Sequence, residues 1–314
     1  MSNYAYLQVT RECNQDCLFC SNPSNDHCLN LDNAKKIINR FIDDGCNGVI
    51  LTGGEPTTSS NLFEIIDYAK RKKLDVKIIT NGQMLSDDKL LDKVIECGVS
   101  TFHVSVYSVK SEIQGFLSKK SDSLENIMKT FRNMAKHRDI LVTVNTVINK
   151  LNQDHLSHNV DYLVKNFPFI RHFVWNNIDA QNLNSQTREE VVAKLNGFYL
   201  ELKKATDLLK KNARTFRVER VPLCYMPGFE YASTETRKIV KNEDRKIFFL
   251  DNERKYFNDT EWYYDKFEAC KKCFLNKICA GLYMGKKGYN DKNELFPVFV
   301  SEEGVKNKIK MNER

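Results

Sequence analysis

The sequence predicts an α/β fold, a parallel sheet closed part-way into a (β/α)6 barrel of TIM-like kind. Three observations carry this. Apolar runs of strand length alternate with helix-period stretches six times within about the first 180 residues, the pattern that right-handed βαβ crossovers require. Gly, Asn and Asp signals punctuate the alternation. The two motifs richest in chemistry each follow an apolar run, at the C-terminal strand ends where such barrels carry their active sites.

Residues 4–9 read as a short buried strand, and residues 10–21 as the loop at its end. Asp32 is placed to cap a helix with Ala34, Ile37, Ile38, Phe41 and Ile42 on its apolar face, closed by Gly45. Strand 48–52 follows, then helix 61–72 with Leu62, Ile65, Ile66 and Ala69 on one side. Strand 74–80 ends in Thr80-Asn81-Gly82. Ser86 is placed to cap a helix through Cys97, with Gly98 behind it. Strand 100–106 is rich in Thr and Val. Asp122 and Glu125 have capping-box spacing ahead of Leu124, Ile127, Met128 and Phe131. Strand 140–148, helix 154–166 and strand 169–175 complete the sixth pair, and a charged helix runs over about 187–212. The expected division is a barrel over 1–185, then a linker helix and C-terminal extension over 186–314.

A chain of 314 residues buries a large core. Its net charge of +7 is modest and its lysines are dispersed, so nucleic acid is not indicated. No apolar run approaches the roughly 18 residues of a membrane span, and no basic-then-apolar signal segment opens the chain. The expectation is a soluble, cytoplasmic protein in a reducing setting. Ten cysteines are unusual there unless they bind metal or do chemistry. Their uneven clustering argues against a disulfide framework.

Cys13, Cys17 and Cys20 stand at C-x3-C-x2-C. Thiolates at this spacing can all turn toward one iron–sulfur cluster from one loop. Three ligands leave one iron of a four-iron cluster open to a substrate or cofactor, and the spacing differs from those of ferredoxins. Zinc or free thiols would also satisfy the residues alone. Phe19 puts an aromatic ring beside the cluster position. A second signal follows the apolar run 48–51: Thr52-Gly53-Gly54-Glu55-Pro56. Paired glycines there permit close backbone approach.

With these two motifs in this order, the chain resembles a radical S-adenosylmethionine (SAM) enzyme. The resemblance implies a four-iron cluster on Cys13, Cys17 and Cys20. SAM would be bound at the open iron through its amino and carboxylate groups, and a ferredoxin or flavodoxin would act as reductant. SAM would then be cleaved to methionine and a 5′-deoxyadenosyl radical that abstracts a substrate hydrogen, with the protein supplying position and exclusion of water. It assigns Gly53, Gly54, Glu55 and Pro56 to the methionine amino end, Thr80 and Asn81 to the ribose region, and Ser105 to the SAM carboxylate or ribose. Asn145 and Asn176, late in their strands, are candidates to point into the barrel.

Cys224, Cys270, Cys273 and Cys279 form a second group, the last three at C-x2-C-x5-C. This resembles the twitch and SPASM extensions of radical SAM enzymes. With four cysteines available, it implies at most one auxiliary four-iron cluster. A four-thiolate zinc knuckle would suit the same spacing. Cys46 and Cys97 read as small buried thiols. Cys28, beside His27, is a candidate catalytic thiol, an ordinary loop residue being the competing assignment. The remaining histidines, His103, His137, His155, His158 and His172, show no ligand spacing with a carboxylate.

The resemblance implies maturation of a ribosomally made peptide by cross-linking, epimerisation or oxidation. The first strand starts near Tyr4, which leaves no room for an N-terminal leader-binding domain, so a separate recognition protein is expected. Oxidation or rearrangement of a sugar, amino acid or nucleoside is the alternative. A non-catalytic iron–sulfur protein is the remote one, since it has no use for a SAM pocket.

Overall fold

The computed structural model describes residues 3–180, 183–243, 245–250, 256–258, 264–283 and 291–311. The chain forms two compact units. The first comprises residues 1–145, 166–171 and 245–260; the second comprises 146–165, 172–244 and 261–314.

The first unit is built on strands β1 (Tyr4–Thr10), β2 (Gly48–Gly53), β3 (Asp75–Thr80) and β4 (Val99–Ser105), with β5 (Leu141–Ile148) leaving it at Asn145. Between them lie helices α1 (Leu31–Asp43), α2 (Leu62–Arg71), α3 (Asp88–Glu96), α4 (Ser111–Ser118) and α5 (Ser123–Met134). In the second unit α6 (Leu156–Asn166) precedes strands β6 (His172–Asn177) and β7 (Thr215–Glu219), which pair in parallel. Between those strands come α7 (Ser185–Val191) and α8 (Leu195–Lys211), and α9 (Thr234–Lys241) follows. Strand β8 (Lys246–Phe248) returns to the first unit and pairs parallel with β1, and β9 (Tyr256–Asn258) runs antiparallel to β8. The strand order of that unit is therefore β9-β8-β1-β2-β3-β4-β5. The chain ends in the second unit with β10 (Tyr264–Asp265), α10 (Glu268–Lys271), β11 (Leu282–Tyr283) and α11 (Glu302–Met311). No helix of the described residues is long and apolar enough to cross a membrane.

The alternation of the strands sorts their side chains. On β3 and β4 the even-numbered Val76, Ile78, Phe102 and Val104 are fully buried, as expected of the face under the crossover helices. The odd-numbered Asp75, Lys77, Ile79, His103 and Ser105 are half-buried on the opposite face. The register sets Ile79 beside His103, His103 beside Thr143, and Ser105 beside Asn145.

Several local expectations shift. The N-cap of α1 is Asn30, whose side chain accepts from the Asn33 amide; Asp32 lies in the first turn, where its charge still meets the helix N-terminus. Asp87, not Ser86, caps α3, because its carboxylate takes the amides of Lys89 and Leu90 while the Ser86 hydroxyl is turned to the Gln83 carbonyl. Asp122 is the N-cap of α5 but makes no side-chain capping bond. The single helix expected at about 187–212 is two, α7 and α8. Helix α4 and strands β7, β8 and β9 lie outside the six expected pairs.

Candidate functional site

The loop after β1 carries Cys13, Cys17 and Cys20 and is tied down at both ends. At its base it folds back along β1: the Arg11 amide donates to the His27 carbonyl (2.7 Å) and the Leu29 amide to the Val9 carbonyl (2.9 Å). Its crown is held by α4. The amides of Leu18 and Asp16 donate to the carbonyls of Leu117 (3.0 Å) and Ser118 (3.3 Å), which belong to the last helical turn and have no partner within the helix. Lys119 adds an ion pair to Asp16 at 2.8 Å.

The glycine motif packs against the same loop. The Gly54 amide donates to Thr10 O (2.7 Å) and the Glu55 amide to Glu12 O (2.8 Å). A Cβ on Gly54 would collide with the Glu12 carbonyl and stand 2.6 Å from that of Arg11. Gly53 has φ +135°, and a Cβ there would strike the Thr10 carbonyl. These glycines therefore permit two backbone loops to touch. The Glu55 carboxylate is buried and accepts from Thr57 N (3.1 Å), Thr57 Oγ1 (2.7 Å), Thr80 Oγ1 (2.7 Å) and Asn81 N (2.6 Å). Burial raises its carboxyl above the usual range, and those bonds pull it partly back. Pro56 opens the short turn Pro56–Thr58 that presents the Thr57 donors. Glu55 and Thr80, both assigned to cofactor from sequence, thus hold each other and fix the end of β3.

Side chains then converge on the thiols. Asn81 Nδ2 donates to Asn14 Oδ1 (2.6 Å) and lies 3.8 Å from Cys13 Sγ. Tyr107 Oη is 3.7 Å from Cys17 Sγ, its ring meets Phe19 edge-on at 4.7 Å, and its hydroxyl also bonds Ser105. Burial pushes the Cys17 thiol up to about 12; Tyr107 opposes this, while Cys20 and Cys13 reinforce it. Bare thiolates here would be costly, and bound iron would offset their charge. The loop therefore suits a metal cluster. Behind it, the buried Ser123 hydroxyl joins the amides of Gln15 (3.0 Å), Gln114 (3.1 Å) and Gln83 (3.4 Å). Tyr107 and this glutamine network escaped the sequence reading, since isolated Tyr and Gln residues carry no spacing signal. Cys28 sits exposed at the loop base, opposite Thr10, with Sγ 3.6 Å from Ser59 Oγ.

In the second unit, Cys224, Cys270, Cys273 and Cys279 line one small cavity of about 20 Å³, together with Leu223, Asn276 and Phe296. Backbone amides are aimed at the sulfurs: Phe296 at Cys224, Val298 at Cys273 (3.4 Å), and Leu223 and Gly281 at Cys279. Burial pushes Cys224 up to about 12, with Cys279 and Cys270 adding to it against the Phe296 amide. Amide donors to cysteine sulfur are a feature of iron–sulfur sites. Among the described residues, no three His, Cys, Asp or Glu side chains are gathered closely enough to hold a single metal ion.

A parallel sheet with a three-cysteine loop at the end of its first strand, braced by a Gly-Gly-Glu-Pro turn, defines the class. The model of the Radical SAM superfamily matches residues 7–163, half of the chain, and the chain belongs to that superfamily. It is similar to GTP 3',8-cyclase of Helicobacter pylori, 27% identical over 202 residues, covering 62% of each chain. It also resembles PqqA peptide cyclase of Bradyrhizobium diazoefficiens, 27% identical over 154 residues, 46% of this chain and 39% of that one. The chain thus spans less than two thirds of the length of the curated relatives it matches. Among solved structures, Streptococcus suis SuiB bound to S-adenosylmethionine aligns with TM-score 0.66 at 16% identity, over 93% of this chain and 77% of SuiB. anSMEcpe with bound AdoMet and Kp18Cys peptide aligns with TM-score 0.66 at 14% identity, over 99% and 96%. These likenesses show the fold, the partial TIM-like barrel expected from the sequence. Membership of the superfamily implies a four-iron cluster and SAM.

Proposed function

We propose that this enzyme modifies a peptide, removing a hydrogen atom from an unactivated carbon so that a cross-link, an epimer or an oxidised residue results. The observation that carries the reading is the cavity lined by Cys224, Cys270, Cys273 and Cys279 with amides aimed at its sulfurs. Such a site suits an auxiliary four-iron cluster, which can accept the surplus electron of an oxidation. A single tetrahedral zinc at about 2.3 Å from each sulfur would need them drawn to within roughly 4 Å of one another. A cluster's thiolates each ligate a different iron and stand wider. Two of the fold relatives support a peptide substrate: SuiB has been seen bound to precursor peptide SuiA, and anSMEcpe to the Kp18Cys peptide.

When bound, the first cluster and SAM supply the radical chemistry; this chain's residues hold and shield them. Cys13, Cys17 and Cys20 would ligate the cluster. Asn81 and Tyr107 would place polar hydrogens on Cys13 and Cys17. The Gly53–Pro56 turn would set the methionine end of SAM, and Ser105 the carboxylate or ribose. Phe19 and Tyr107 would close the loop side against water. A ferredoxin or flavodoxin would deliver the electron, and a separate protein would recognise the peptide leader.

A second reading has its own support in the similarity to GTP 3',8-cyclase, which favours a small-molecule substrate. Anaerobic incubation with SAM, reductant and either candidate precursor peptides or nucleotides, followed by mass spectrometry, separates them. Loss of two hydrogen masses from a peptide, or gain of one deuterium from heavy water, is the expected result. Turnover of a nucleotide with every peptide inert would overturn it.

A further inference from the structure

One face of β3, β4 and β5 carries a run of polar side chains with a gap in its hydrogen bonding. At the start of the strands the polar groups are engaged. Tyr4 Oη donates to Asp75 Oδ2 (2.5 Å), Ser100 Oγ donates to Asp75 Oδ1 (2.6 Å), and Lys77 Nζ sits 3.7 Å over the Tyr4 ring. At the strand ends they are engaged again: Ser105 bonds Tyr107, whose hydroxyl lies 3.7 Å from Cys17 Sγ. Between these levels stands His103, and Asn145 lies beside Ser105 in the register. His103 Nε2 and Asn145 Oδ1 are shut off from solvent, and neither has a hydrogen-bond partner among the described residues.

The two belong together. Ser105 pairs with Asn145 and His103 with Thr143 across parallel strands. His103 is therefore the diagonal neighbour of Asn145 on the same face, their Cα atoms roughly 8 Å apart at normal strand spacing. An enclosed polar atom without a partner is costly, and such atoms in native proteins call for an explanation. Two on one face, one beside Ser105 and one a pleat before it, are explained together if a ligand supplies both partners.

We propose that His103 and Asn145 are a substrate-orienting pair that receives a neutral amide group, the amide N–H on Asn145 Oδ1 and the amide carbonyl on His103 Nε2–H. This rests on the peptide reading above. The ring is neutral at physiological pH, since burial, reinforced by Lys77, holds His103 down at about 4. A neutral imidazole presents one donor, and a side-chain carbonyl only accepts. An amide answers both with one group. A carboxylate or phosphate would set lone pairs against Asn145 Oδ1.

The test uses crystals of the cluster-loaded enzyme soaked anaerobically with N-methylacetamide. The expected result is the probe seated between His103 Nε2 and Asn145 Oδ1, and its loss in His103→Leu and Asn145→Leu. Those variants replace enclosed polar groups by apolar ones of similar size, so iron content should persist and the melting temperature should hold or rise. Ordered water bridging the two atoms in place of the probe, or probe density that survives either substitution, overturns the proposal. The two readings fail separately. A probe seated on the pair in an enzyme that turns over no peptide keeps this site and removes the peptide reading. A peptide turned over by the double variant with unchanged kcat/KM does the reverse. A drop of roughly tenfold or more per substitution is expected, the loss of one substrate hydrogen bond.

Discussion

The hydroxyl of Tyr107 stands 3.7 Å from the sulfur of Cys17, and its ring meets Phe19 edge-on at 4.7 Å. One side chain thus offers a polar hydrogen to a thiol and an apolar wall to the loop around it. Tyr107→Phe separates the two contributions. The ring contact persists, so iron content should be unchanged. The hydroxyl is lost, and since hydrogen bonds to cluster sulfurs tune the potential, the first cluster should become harder to reduce. Anaerobic redox titration followed by electron paramagnetic resonance checks this; an unchanged midpoint would mean that Tyr107 does not donate to a ligand sulfur.

Gly54→Val should damage the cluster loop before any effect on SAM is felt. The added Cβ meets the carbonyls of Glu12 and Arg11, which are backbone and cannot swing aside. Overpacking of this kind costs about 1–3 kcal/mol. Iron bound per chain should fall together with the melting temperature. A variant that keeps full iron but loses SAM cleavage would instead place the role of Gly54 at the ligand.

The cysteine loop and the glycine turn were legible because each is a contiguous run whose residues answer to local chemistry. What those runs lean on was not. Helix α4 carries its message in the carbonyls of Leu117 and Ser118, which no side-chain pattern announces. The cluster loop is braced by Gln15, Gln83, Gln114 and Ser123, drawn together from four separate segments. Glu55 was assigned to SAM through the backbone of its turn; its carboxylate is taken up by Thr57, Thr80 and Asn81, a relation visible only once β2 and β3 are side by side. Strand β7, with Arg217 and Glu219 among five residues, lacks the apolar run that betrays a buried strand. The break between α7 and α8 contains no Gly or Pro.

The reconstituted protein should hold two four-iron clusters, about eight irons per chain. Replacing Cys13, Cys17 and Cys20 with alanine should leave about four, as should the Cys273→Ala/Cys279→Ala pair. The thiols of each set lie within one compact unit, so each loss should be independent. Iron and zinc analysis of both variants checks this. Zinc held by the first variant would make the second site a zinc knuckle, and no metal at all would make it dependent on the first.

His103 should make stability fall on the acid side. Burial and Lys77 hold it at about 4 against an ordinary 6.5, so between those values the unfolded chain binds a proton that the folded chain refuses. Stability therefore rises with pH through this window and is lost as pH falls from about 6.5 toward 4. A shift of this size corresponds to at most about 3 kcal/mol. His103→Leu removes the titrating group and should flatten that part of the profile, while acid damage to the clusters is common to both proteins and cancels in the difference. Denaturant unfolding at pH 7 and pH 5 gives the comparison: the gap between wild type and variant should move in the variant's favour as pH drops. A gap that stays constant would mean that His103 is solvated in the folded protein, and that its Nε2 already has a partner in water.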